Sequence, residues 1–242
     1  MPLETFLDAF LGPRCAGCDE PFAFGGPPLC PVCLATVVPR TVPVEGFSLR
    51  VLGRHEGVLR RLVLVAKDAP EGGAGRILTD LMGEVARFLP PGGVFVPVPP
   101  RWRRRFGGRD LPRALARALA EASGGRVLRA LRRVRLRPAQ AGLGAAERRG
   151  NLVGAMRARP ASPRRDAWDP GLVLVDDVVT TGSTLVEARR ALLAAGWPMV
   201  RQAVAAAHAP VRGAAQGRSG WLAAGGGPAS SGRGVPSVGA GP

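Results

Sequence analysis

The sequence predicts an α/β fold, a parallel sheet flanked by helices, with a small four-cysteine module at its N-terminus and a disordered C-terminal tail. Three observations carry this expectation. Short apolar runs rich in β-branched residues alternate with stretches whose apolar residues recur at helical spacing. Four cysteines fall in two C-x-x-C pairs, Cys15/Cys18 and Cys30/Cys33, separated by 11 residues. From residue 211 onward Gly, Ala, Ser and Pro supply 23 of 32 residues, leaving no apolar periodicity to offset the entropy of ordering.

Taken in order, the chain divides into a cysteine module at 1–40, a main domain at 41–209 and a tail at 210–242, in which Trp221 and Leu222 are the only docking point. Residues 62–66 and 94–98 are apolar runs that predict buried strands. Residues 77–89 predict a helix, with Ile77, Leu81, Val85 and Phe88 on one face, and 111–122 predict another through Leu111, Leu115 and Leu119. A strand at 172–175 leads to a helix at 184–195. Its start matches a capping box from Thr184 to Glu187, and Gly196 supplies its stop. A final strand is expected at 200–207.

Composition excludes several classes. The chain has 242 residues, 46% of them hydrophobic, enough to bury a sizeable core. No run of about 18 uncharged apolar residues predicts a membrane span. The first ten residues carry acids where a secretory signal would be basic, and four cysteines are too few for a disulfide scaffold, so a soluble cytoplasmic protein is expected.

The charge is uneven. The net charge is +16, and residues 101–165, with 19 arginines against three acids, hold all of the excess. Such a block attracts polyanions. A coding bias toward arginine is the other source of the high count, since Lys67 is the only lysine and Asn151 the only asparagine. That bias does not account for the confinement to one block.

Each C-x-x-C pair places two thiolates on one metal, and two pairs complete a tetrahedral zinc site at Cys15, Cys18, Cys30 and Cys33. Four thiolates fill the tetrahedron, so such a zinc is structural. A redox motif would need only one pair. His55 and His208 have no metal spacing or nucleophile partner and are expected to be structural.

The most informative stretch runs from Leu172 to Thr184. A buried strand ends in Asp176 and Asp177, and Thr180, Thr181, Gly182, Ser183 and Thr184 follow before a helix begins. Backbone N–H groups, hydroxyls and the helix N-terminus together make a cup for a phosphate. The two carboxylates accept from sugar hydroxyls or hold a magnesium ion. This stretch resembles the phosphoribosyl pyrophosphate (PRPP) motif of type I phosphoribosyltransferases: apolar strand, two acids, two variable residues, Thr-Gly, then small hydroxyl residues.

Over residues 10–209 the chain is similar to the ComF/GntX family, in which a four-cysteine zinc module precedes a phosphoribosyltransferase-like domain. The segment from His55 to Lys67 resembles the family's apolar strand ending in Lys. Residues 96–100, Val-Pro-Val-Pro-Pro, resemble its Pro-Val-Pro strand end. Arg133 to Gln140, Leu143, and Glu147 to Met156 resemble its Gln…Leu…Glu-Arg-x-x-Asn…Gly-Ala-Phe segment. Four positions depart from the pattern. Residues 105–109 read Arg-Phe-Gly-Gly-Arg and lack the family's Asn and Gln, Arg137 stands for Thr, Met156 stands for Phe, and no Tyr lies near Arg54 and His55.

The resemblance implies PRPP bound with magnesium on the 176–184 loop. Pyrophosphate would lie near Lys67, Arg105 and Arg148, with Gln140 and Asn151 as loop anchors. It implies transfer of a phosphoribosyl group, driven by stabilising the leaving diphosphate, with no general base or acceptor identified. The cellular role implied is DNA uptake in natural competence, or DNA utilisation. Single-stranded DNA and competence-machinery proteins are the implied partners, and a homodimer is left open. The alternative is a non-catalytic DNA-binding or regulatory protein on the same fold, with Trp102 and Phe106 as stacking residues in the basic block. A zinc-ribbon reader of duplex DNA is disfavoured, because residues 15–33 contain Asp19 and Glu20 and no base.

Overall fold

A computed structural model of the chain describes residues 14–21, 28–100, 110–134, 154–161 and 171–210. The predicted tail, with Trp221 and Leu222, lies outside them, as do Trp102 and Phe106.

The described elements, in chain order, are α1 (Pro31–Ala35), β1 (Arg40–Val44), β2 (Phe47–Arg54), α2 (Gly57–Asp68), α3 (Gly73–Ala86), β3 (Val94–Pro97), α4 (Leu111–Ser123), β4 (Arg126–Val127), β5 (Leu131–Arg133), β6 (Met156–Ala158), β7 (Leu172–Val179), α5 (Ser183–Ala194) and β8 (Gln202–His208). Six strands form one sheet in the order β1-β2-β8-β7-β3-β4, and β5 and β6 form a separate antiparallel pair. All neighbours in the large sheet are parallel except β1 and β2. The expected parallel sheet is therefore a mostly parallel one, with an antiparallel hairpin at its edge.

That hairpin turns on two residues, Glu45 and Gly46, between the paired Val44 and Phe47. Both have positive φ, 48° and 75°, as the tightest hairpin turns require.

Over residues 172–175 alternate residues of β7 serve opposite faces of the sheet. Val173 and Val175 join one buried cluster with residues of α2, α3 and α4, such as Leu62, Leu78 and Leu115. Leu172 and Leu174 join the other, with Leu185 and Leu192 of α5 and with Leu131 and Met156 of the small ribbon. Helices therefore cover one face, and α5 with the ribbon covers the other.

The predicted helices over 77–89, 111–122 and 184–195 are present as α3, α4 and α5, and the predicted strands over 94–98, 172–175 and 200–207 as β3, β7 and β8. Local chemistry explains α4 well. The Asp110 side chain accepts from Arg113 N at 3.1 Å, Pro112 sits in the first turn, and Gly124 closes the helix at φ 65°.

Three details differ from expectation. Residues 62–66 are not a strand but the middle of α2. Leu59, Leu62, Val63 and Ala66 form its buried stripe at helical spacing, while Leu64 and Val65 face outward, 42% and 53% exposed. Phe88 lies past the end of α3 and is 60% exposed, so it is not part of that helix's core face.

The capping box at the start of α5 is absent. Gly182 is the N-cap, and Glu187 turns inward. Its carboxylate accepts from Met156 N at 3.0 Å and from Arg190 Nε and Nη2 at 2.7 and 2.8 Å. Burial alone would raise the Glu187 pKa, but Arg190 and the Met156 N–H hold it below the ordinary value. The residue ties the ribbon to α5 instead of closing a helix end. Gly196 does stop the helix, at φ 83°.

Candidate functional site

Two connections diverge from the middle of the sheet. The chain leaves β3 through α4 on one face to reach β4. It leaves β7 through α5 on the other face to reach β8. Between β3 and β7 the strand order reverses, and the crevice beyond the carboxyl ends of such strands is where open α/β sheets place ligands.

β7 outruns its neighbour at this point. Its last rung with β3 is Pro97 with Val175, and Val98 N donates to Val175 O at 2.8 Å. Asp176 and Asp177 follow immediately, and on the other side Asp176 still pairs with Ala205 and Val178 with Ala207 of β8. They do not end the strand, as expected from sequence, because β7 continues to Val179. They do lie where β3 stops.

The alternation of β7 gives the two acids different surroundings. Asp176 is 9% exposed and feels Arg133 of β5 on the ribbon face. Burial, with the Asp177 charge, pushes its carboxyl up to about 7. Its Oδ1 accepts from Asp177 N at 2.8 Å. Asp177 faces α2: Lys67 Nζ lies 3.2 Å from its Oδ1, and the same oxygen accepts from Val178 N at 2.6 Å. Lys67 stands in the last turn of α2, so this helix starts beside β2 and ends beside β7. Sequence placed Lys67 at a strand end; the structure delivers it from a helix.

The loop after β7 contains the five residues expected to form the cup. Thr180 is exposed, Gly182 buried, and Thr181, Ser183 and Thr184 are half-buried. Thr181 Oγ1 and Ser183 Oγ are 2.7 Å apart, and Ser183 N donates to Thr181 Oγ1 at 3.4 Å. Gly182, at φ 80°, offers no side-chain oxygen to cap α5, and Thr181 Oγ1 reaches only the first N–H of the helix. A side chain there would collide with Val44. Gly182→Ala is therefore expected to destabilise the protein by about 1–3 kcal/mol, through an unfavourable φ and overpacking. Thermal unfolding checks this, and an unchanged midpoint would show that the hairpin yields freely.

Both histidines reach the same edge of the sheet. His55 N donates to His208 O at 2.8 Å. Burial lowers the His55 pKa, reinforced by Lys67 and Arg60 and opposed by Asp177. Sequence spacing gave no sign of this proximity. Arg133 was quoted only as part of a segment, and its Nε donates to Pro99 O at 2.8 Å beside Asp176. Arg105, Gln140, Arg148 and Asn151 lie outside the described residues.

The four cysteines converge as their spacing predicts. One sulfur from each lies within 4.8 Å of all the others, and Cys18 and Cys30 sulfurs are 3.8 Å apart. Metal–sulfur bonds of about 2.3 Å in a tetrahedron give edges of about 3.8 Å, so the set fits a metal ion such as zinc. Cys30 N and Gly17 N donate to Cys15 Sγ at 3.2 and 3.4 Å, the outer support a thiolate ligand needs. A side chain on Gly17 would press on Cys33 Sγ at 2.7 Å. Cys15, Leu29 and Cys33 belong to the same buried cluster as Leu52 and Leu59, and Arg61 of α2 donates to Gly17 O at 3.1 Å.

Among the described residues no helix is long and apolar enough to cross a membrane. A search of family models finds no match to this chain, and neither does a search of curated proteins.

Proposed function

We propose that this chain binds PRPP or a related phosphoribosyl ligand, with magnesium, at the β7–α5 loop. We further propose that it acts as a ComF-like phosphoribosyltransferase-domain protein in DNA uptake or utilisation. The observation that carries the proposal is the convergence at one crevice of Asp176, Asp177, the Thr180–Thr184 loop and Lys67.

In this reading the loop and the start of α5 take the 5-phosphate, and the two acids take the ribose hydroxyls. Lys67 offers a point charge to the pyrophosphate, and binding frees it from Asp177. Magnesium, bound with the ligand, offsets charge on the diphosphate. Zinc in the cysteine cluster is structural and closed to substrate.

Calorimetry with PRPP and magnesium tests this. Wild type is expected to bind, and a variant with Asp176 and Asp177 both changed to Ala to lose at least tenfold in affinity. Pyrophosphate release on adding an acceptor would extend binding to transfer. A folded, metal-loaded wild type that ignores PRPP would overturn the proposal. Steeply salt-dependent binding of single-stranded DNA by that protein would then favour the non-catalytic alternative.

A further inference from the structure

Glu45 lies at the tip of the β1–β2 hairpin, directly against the proposed phosphate loop. A Cβ built on Gly182 would come within 3.1 Å of Glu45 Cγ and 3.3 Å of its Cβ. Two ordinary bonds further on, the carboxylate oxygens lie within about 6 Å of that point. The tip is also fixed in place. Arg189, on the helix that the loop opens, donates to Glu45 O at 3.1 Å and to Gly46 O at 3.5 Å. Its guanidinium stacks over Phe47 at 4.2 Å. Arg189 therefore holds the backbone of the turn, with Glu45 Cβ and Cγ against the loop. Asp176, nine-tenths buried, already makes the other side of this site acidic.

We propose that Glu45 is a specificity-determining residue that sets the loop's preference among phosphates by charge. This rests on the reading that the loop takes a phosphate. A carboxylate on that turn repels an anion in proportion to the anion's charge. A doubly charged terminal phosphate is therefore penalised about twice as much, in free energy, as a singly charged phosphodiester. The loop discriminates against free phosphate dianions and tolerates ligands with other anchors, such as the sugar hydroxyls on the acids.

The test is titration of inorganic phosphate and of dimethyl phosphate at pH 8 and low salt, into wild type, Glu45→Gln and Glu45→Asp. Glu45→Gln is expected to bind dimethyl phosphate about threefold tighter and inorganic phosphate about tenfold tighter than wild type, at water-like screening. Both gains should shrink with added salt. Glu45→Asp keeps the charge and suits the positive φ better, so it should bind as wild type does. Equal affinities in wild type and Glu45→Gln would overturn the role of Glu45 and leave the phosphate loop standing. Equal gains for the two anions would overturn the charge rule. Absence of any phosphate binding in all three folded proteins would overturn the loop itself, and this inference with it.

Discussion

Removing the metal from the four-cysteine cluster, or replacing Cys33 with Ser, is expected to lower the thermal midpoint by about 10 °C or more. Cys15 and Cys33 are 1% and 5% exposed and sit in the main core cluster with Leu52 and Leu59. Without a metal, four thiols crowded within 4.8 Å have nothing to hold them together, and α1 is only five residues long. A structural zinc contributes on the order of 10 kcal/mol to the fold of its own segment. Losing even a third of that would move the midpoint of a protein this size by about 10 °C. The effect should also reach the site, because α2 touches the module through Val58 and Arg61 at one end and carries Lys67 at the other. Metal analysis and calorimetry with and without a chelator make the measurement. Metal-free protein that melts at the original temperature would show that the cluster is ornamental to the fold.

The sequence was legible where one physical rule acts alone. Two C-x-x-C pairs admit one economical arrangement, and the sulfurs converge. The helical stripes of α3 and α4 and the apolar run of β7 were equally clear, because burial on one stripe or on both faces leaves a distinct pattern. Residues 62–66 were misread because Leu-Val-Leu-Val-Ala is a strand by composition and a helix by context. Only the longer register from Leu59 to Ala66 shows the buried stripe. Glu187 was misread because Thr-x-x-Glu fits a capping box, while Arg190 and the Met156 N–H outcompeted the helix end. Glu45 and His55 gave no signal, since their proximity to the loop comes from tertiary contacts of a hairpin and a strand end. The acids were legible as a pair, but their separation onto opposite faces follows only from the pleat of β7.

That separation underlies the second large effect. Asp176→Asn is expected to stabilise the ligand-free protein at pH 8 while weakening the proposed binding of PRPP. Burial, with the neighbouring Asp177 charge, raises the Asp176 carboxyl to about 7 from an ordinary 3.8. Between about pH 4 and 7 the unfolded chain has released this proton and the folded chain still holds it. The folded state binds more protons, so stability falls as pH rises through that window, and the loss is complete above the folded pKa. Its upper bound is about 4 kcal/mol. Asparagine removes the ionisation and keeps an oxygen for the Asp177 N–H, so the loss should vanish and the pH profile between 4 and 8 should flatten. Asp177→Asn should do the opposite. It strips the partner from Lys67, which is only 18% exposed, and stability should drop at neutral pH. Denaturant unfolding at pH 5 and pH 8 on both variants separates the cases. A buried carboxylate kept for packing would show Asp176→Asn losing stability at both pH values. A carboxylate kept in an unfavourable setting for a ligand's hydroxyls shows a gain that is larger at pH 8 than at pH 5, coupled to the loss of binding.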